Sequence, residues 1–113
     1  MELEIASGRL GSACLVTLTG EVDVYTAPEL RKRLIEAVDT GSGSLVVDMS
    51  AVDFIDSSGL GVLVSILKRV SEQGQTMTIV SDREIVLKVF NITCLDRVFP
   101  IVATLAEATG PTP

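Results

Sequence analysis

The run Asp56-Ser57-Ser58-Gly59-Leu60-Gly61 places two adjacent hydroxyls between an apolar strand pattern and an apolar helix pattern. That junction is the first turn of a helix, where backbone N–H donors lack intrahelical partners and the dipole is positive. Both effects favour an anion, such as a phosphate esterified to serine. Ser57 or Ser58 is therefore a candidate phosphorylation switch. The same letters also have a plainer use. Asp and Ser are ordinary helix caps, and Gly59 and Gly61 allow a helix to pack closely against a sheet.

Other chemistries fare worse. With no histidine in the chain, neither a Ser-His nor a Cys-His nucleophile pair can form, and the commonest general base near neutral pH is missing. Ser65 and Lys68 match the S-x-x-K spacing of a serine nucleophile with a lysine base. They fall late in a helix pattern, however, without the companion S-D-N and K-T-G elements, so the match reads as chance. Gly41-Ser42-Gly43-Ser44 leads into a strand and lacks the Gly-Lys-Ser/Thr of a phosphate loop; it reads as a turn. Asp23, Asp48, Asp53 and Asp56 match no calcium-loop spacing, so no metal site is assigned. Asn91-Ile92-Thr93 is a glycosylation sequon by letters only. Cys14 and Cys94 form neither a CxxC motif nor a zinc site; they read as two reduced, mostly buried thiols, with a redox pair as the alternative.

The elements that would position the serines follow from periodicity. Leu3 and Ile5 alternate with charge in an opening strand, a Gly-containing turn spans Ser7 to Ser12, and a second strand runs from about Ala13 to Leu18, giving an antiparallel hairpin. Gly20 to Tyr25 reads as a loop. Thr26 and Glu29 then make a capping box, with Pro28 in the first turn, for a helix whose apolar face is Leu30, Leu34, Ile35 and Val38 and which Gly41 can end. Leu45 to Met49 reads as a buried strand, followed by a connector to Phe54. Leu60, Leu63, Leu67 and Val70 define the next helix, stopped by Gly74. Thr76 to Val80 is a strand, and Ser81 with Glu84 caps a helix whose Ile85, Val86, Val89 and Phe90 face inward. A short strand near Phe99 to Val102 and a short helix near Thr104 to Ala108 close the pattern. The alternation predicts an α/β fold: a mixed sheet of four to five strands with about four helices over it. Residues 1–109 are expected to make one domain and 110–113 a flexible tail.

Hydrophobic residues make up 47% of the chain but aromatics only 4%, and Trp is absent, so the core must be aliphatic and stacking platforms for nucleic acid are missing. A net charge of −6 opposes nucleic acid and anionic membranes alike, leaving a basic protein partner as the better expectation. No leader or bilayer-length apolar segment is seen, which predicts a cytoplasmic protein.

Glu21-Val22-Asp23, Thr26-Ala27-Pro28-Glu29-Leu30, Leu45-Val46-Val47-Asp48 and Phe54-Ile55-Asp56-Ser57-Ser58-Gly59-Leu60-Gly61 together closely resemble the STAS domain of bacterial anti-sigma factor antagonists, over Leu3 to about Ala108. The resemblance implies the STAS fold and a partner switch. In it the unmodified antagonist binds an anti-sigma factor that is also a serine kinase, a sigma factor is released, phosphorylation of the first motif serine breaks the complex, and a PP2C-type phosphatase resets it. By position Ser57 is the acceptor, with Ser58 as the alternative. The implied contact surface comprises Glu21, Asp23, Tyr25, Thr26, Asp56, Ser57, Ser58, Gly59 and Leu60. ATP and Mg²⁺ would belong to the kinase, so no cofactor or turnover is expected of this chain. The runner-up is a scaffold or small-molecule-binding STAS subunit of a larger regulatory or transport assembly, in which the serine loop docks without being phosphorylated.

Overall fold

The computed structural model describes residues 2–41 and 43–108. Ten elements follow one another: β1 (Leu3–Leu10), β2 (Ala13–Val22), α1 (Ala27–Thr40), β3 (Leu45–Ile55), α2 (Ser57–Glu72), β4 (Met77–Val80), α3 (Glu84–Ile92), a 3₁₀ turn (Leu95–Arg97), β5 (Ile101–Val102) and α4 (Leu105–Ala108). The five strands lie side by side in chain order. β1 and β2 are antiparallel, and the pairs from β2 to β5 are parallel. Parallel neighbours need crossovers, and α1, α2 and α3 supply them. The expected mixed sheet with its N-terminal hairpin is therefore the observed one.

The core is aliphatic as the composition requires. Leu45, Val47 and Met49 of β3 and Met77 and Ile79 of β4 join Leu30, Leu34, Leu63, Ile66, Val86 and Phe90 from the three helices in one buried cluster. Burying each such side chain is worth about 1.5–3 kcal/mol. Phe90 and Phe99 meet edge to face, with ring centroids 5.8 Å apart. Val46 and Val80 are buried outside this cluster, so β3 and β4 are covered on both faces.

Several boundaries differ from the pattern reading. β1 continues through Ser7 and Gly8, so the hairpin turn shrinks to Gly11 and Ser12 between paired Leu10 and Ala13. β2 runs on to Val22. β3 does not end at Met49 but reaches Ile55, because a residue is inserted at each of two register shifts against β2, which lets strand pairing pass through polar letters. Glu84 opens α3, but Ser81 does not cap it. Arg83 is held extended at the N-cap by bonds to the Ser50 carbonyl (3.0 Å) and Asp53 (2.9 Å), so Ser81 Oγ receives only the Arg83 N–H. Of the four residues expected to face inward, Val86 and Phe90 are buried and Val89 packs on the core edge, but Ile85 is exposed. Gly74 does stop α2. It takes a φ of +73° and donates its N–H to Ser71 O, while Gln75 N–H donates to Val70 O, and the two bonds form a Schellman cap. The expected tail and Ser42 of the Gly-Ser turn lie outside the described residues.

Among the described residues no helix is long and apolar enough to cross a membrane. The four aspartates considered as metal ligands have separate structural work. Asp48 accepts from Ser50, Asp53 pairs with Arg83, and Asp23 and Asp56 cap backbone turns. Cys14 and Cys94 are free thiols, Cys14 half-buried and Cys94 exposed, which corrects the expectation of two buried ones.

α1 and α2 are pinned together by Asp39 and Arg69, which share two hydrogen bonds of 3.0 and 2.8 Å. The Arg69 hydrogen bond holds the Asp39 carboxyl below its ordinary range, and Asp39 in turn raises Arg69. Because the folded-state value of Asp39 is depressed, its stabilisation is present above the unfolded value and is lost as pH falls through the folded one. Asp39→Asn should lower the melting temperature slightly at neutral pH and leave it unchanged in strong acid. Thermal scans at the two pH values check this.

Candidate functional site

The C-terminal ends of β2 and β3 meet at paired Val22 and Ile55, and the Asp56 N–H donates to Val22 O at 3.1 Å. That bond places the loop Asp23–Thr26 beside the start of α2. Asp56 is extended at the N-cap, and its Oδ1 accepts from Ser58 N–H (2.9 Å) and Gly59 N–H (3.1 Å), while Leu60 N–H begins the helical ladder on Asp56 O. Ser57 is thus the first helical residue. Its side chain is exposed and its hydroxyl has no partner among the described residues, whereas Ser58 is half-buried.

This geometry corrects one part of the anion reading. Asp56 already occupies two of the first-turn donors, so only the N–H of Ser57 itself is left among the described residues. A phosphate on Ser57 would stand next to the Asp56 carboxylate and would not be cradled by a row of free amides. Asp56→Ala should remove the cap and cost about 1 kcal/mol, within a range of roughly 0.5–2. Asp56→Asn, which keeps an acceptor oxygen, should cost less in the same chemical denaturation series.

The neighbouring loop is built on a second aspartate. Asp23 Oδ1 accepts from Tyr25 N–H (2.9 Å) and Thr26 N–H (3.0 Å), and Ala27 N–H bonds Asp23 O at 2.8 Å. Thr26 is therefore not the cap that the Thr26–Glu29 spacing suggests. Its backbone is helical, and its Oγ1 turns back to accept from Asp23 N–H (2.9 Å) and donate to Glu21 O (3.0 Å). Asp23 is only 4% exposed and its Oδ2 is buried with no hydrogen-bond partner among the described residues, so the carboxylate stiffens the loop from within through Oδ1. The aspartate three residues before Thr26 was the available sequence signal for this turn.

The loop's backbone rigidity presents two apolar side chains to solvent. Tyr25 is 82% exposed and Val24 59%, and Phe54 near the end of β3 is 38% exposed. Large apolar groups held outward in this way are features of surfaces suited to docking. Sequence reasoning included Tyr25 but missed Val24 and Phe54. Gly59 and Leu60, by contrast, belong inside. Leu60 is in the core, and a Cβ on Gly59 would collide with Val22 Cγ1 and lie 3.1 Å from Ile55 Cγ1. Glu21 is half-buried and contributes its carbonyl. Cys14 lies at the opposite end of β2, paired with Leu45 at the start of β3, far from this surface.

The structure is thus a mixed-sheet α/β domain with an exposed serine at a helix start, next to two capping aspartates and a loop with exposed apolar side chains. The chain belongs to the STAS domain family, whose pattern matches residues 4–108. It is 36% identical over 88 residues to the anti-sigma-B factor antagonist of Bacillus subtilis (strain 168), covering 78% of this chain and 80% of that one. A crystal structure of an anti-sigma factor antagonist from Mycobacterium paratuberculosis superposes with a TM-score of 0.89 at 27% identity, covering 96% and 92% of the two chains. The Bacillus protein SpoIIAA in its phosphorylated form shares the fold, with a TM-score of 0.72 at 18% identity over 94% of this chain and 96% of that one.

Proposed function

We propose that this chain is a cytoplasmic anti-sigma factor antagonist whose docking to an anti-sigma factor with serine-kinase activity is switched off by phosphorylation of Ser57 and restored by a PP2C-type phosphatase. The observation that carries this reading is the Ser57 hydroxyl, exposed and unpartnered among the described residues at the first position of α2, beside the Tyr25 loop. A kinase needs such access, and half-buried Ser58 with its N–H bound to Asp56 offers less. The core reaches up to Gly59 and Leu60, so a group added at Ser57 changes the surface and leaves the packing beneath it alone.

The surface would act through Tyr25, Val24 and Phe54 as apolar anchors and Asp56 and Ser57 as the polar centre, with Glu21, Asp23 and Thr26 holding the loop. Chemistry and ATP belong to the kinase; this chain is its substrate and its inhibitor. The test is to incubate the protein with candidate anti-sigma kinases of its organism and ATP and map the phosphate by mass spectrometry. Label on Ser57, lost in Ser57→Ala while that variant still binds the kinase, supports the reading. Label on another residue, or retained binding by the fully phosphorylated form, overturns it.

A further inference from the structure

Arg9 and Arg33 hold no carboxylate among the described residues. The ion pairs there are Arg69–Asp39 and Arg83–Asp53. Arg9 instead donates to Ser12 O at 3.0 Å and toward Cys14 Sγ at 3.7 Å, and Arg33 donates to Ser7 Oγ at 3.3 Å. Neutral acceptors thus take a minority of the N–H donors that two guanidiniums carry. Of the nine Lys and Arg side chains, Arg69 and Arg83 alone are ion-paired among the described residues, so what sets Arg9 and Arg33 apart is their shared location.

Both residues line one cavity of about 440 Å³ between the β1–β2 hairpin and the C-terminal half of α1. That size lies in the range of small-ligand sites. Cys14 and Glu36 line it as well. The cavity sits at the end of the sheet opposite Ser57, since Cys14 pairs with the first residue of β3 and Ser57 follows its last strand residue. A ligand there would leave the Ser57 surface open.

The charges of the lining select the ligand. Two guanidiniums and one carboxylate complement two carboxylates and one ammonium, and guanidiniums bind carboxylates in paired hydrogen bonds. A phosphate or a simple dicarboxylate would satisfy the arginines but leave Glu36 facing an anion. We propose that this cavity binds an acidic α-amino acid, with Arg9 and Arg33 holding its carboxylates and Glu36 its ammonium group. A ligand of this size bound by a few charged contacts is expected to show a Kd of about 1 mM or tighter.

The test is an amide-resolved NMR titration of the whole chain with L-glutamate, L-aspartate, glutarate and inorganic phosphate. Saturable shifts confined to the hairpin around Arg9 and Cys14 and to the last turns of α1, given by an amino acid and weakened about tenfold or more in Arg9→Gln and Arg33→Gln, support the proposal. Glu36→Gln should bring glutamate and glutarate to similar affinity. The proposal is overturned if neither amino acid saturates, if phosphate binds as well as glutamate does, or if both arginine variants bind like the parent. Unchanged circular dichroism and unchanged amide signals around Ser57 confirm that each variant is folded.

Discussion

Phosphorylated protein is expected to bind the anti-sigma kinase at least about a hundredfold more weakly than the unmodified form, and Ser57→Glu roughly tenfold to a hundredfold more weakly. A phosphoserine brings about −1.5 to −2 charges and added bulk. It would arrive beside the Asp56 carboxylate, whose Oδ1 already takes the Ser58 and Gly59 amides, so little of its charge is neutralised by the helix start. Like charges brought together at a docked surface cost several kcal/mol, and each 1.4 kcal/mol or so is tenfold in affinity. Glutamate carries about half the charge and no tetrahedral group, hence the smaller effect. Asp56→Asn keeps the capping oxygen and removes one of the opposed charges, so in that background the penalty of Ser57→Glu should shrink. Titration calorimetry on the parent, the two single variants and the double variant gives the coupling directly. Equal affinity for Ser57→Glu and the parent would remove electrostatics from the mechanism.

What the sequence made legible was whatever rests on local periodicity and on motif letters. Leu30, Leu34 and Val38, and Leu60, Leu63 and Val70, mark their helix faces by spacing alone, and all six are buried. The serine position was legible because Asp56 is a strong cap followed at once by helix-compatible residues. The missed features depend on contacts between segments distant in sequence. Nothing local says that Arg83 reaches back to Ser50 and Asp53 and so displaces Ser81 as the cap of α3. Likewise β3 continues to Ile55 because β2 offers a partner through two register shifts, which no pattern within Ser50–Asp53 encodes. Thr26 shows the limit of motif reading most clearly. The capping-box letters are present, but a buried Asp23 takes the Thr26 N–H that Glu29 would have accepted, and Thr26 Oγ1 is turned back to Asp23 N–H and Glu21 O. At the site itself the resemblance assigns Ser57, Ser58, Gly59 and Leu60 to one contact surface, whereas the structure divides them: Ser57 faces solvent, and Gly59 and Leu60 serve the core, Gly59 by the close packing its letter also suggests.

That division predicts opposite effects for two glycines of the same motif. A Cβ at position 59 would meet Val22 Cγ1 and approach Ile55 Cγ1 to 3.1 Å, and neither neighbour can yield, since Val22 is 0% and Ile55 4% exposed. Overpacking a closed core costs about 1–3 kcal/mol, which exceeds the gain of at most about 1 kcal/mol that alanine brings to a helix. Gly59→Ala should therefore destabilise the fold by about 1–2 kcal/mol, a fall in melting temperature of roughly 4–10 °C for a chain of this size. A Cβ at position 61 would have nothing within 4 Å, so Gly61→Ala keeps only the helix term and should stabilise by about 0.5–1 kcal/mol. The functional consequence follows the same split. To relieve the clash at position 59 the first turn of α2 must lift from the ends of β2 and β3, carrying Ser57 with it, so Gly59→Ala should also slow phosphorylation and weaken docking. Gly61→Ala should leave both unchanged. If the two substitutions move the melting temperature in the same direction, close packing is not what fixes the serine in place.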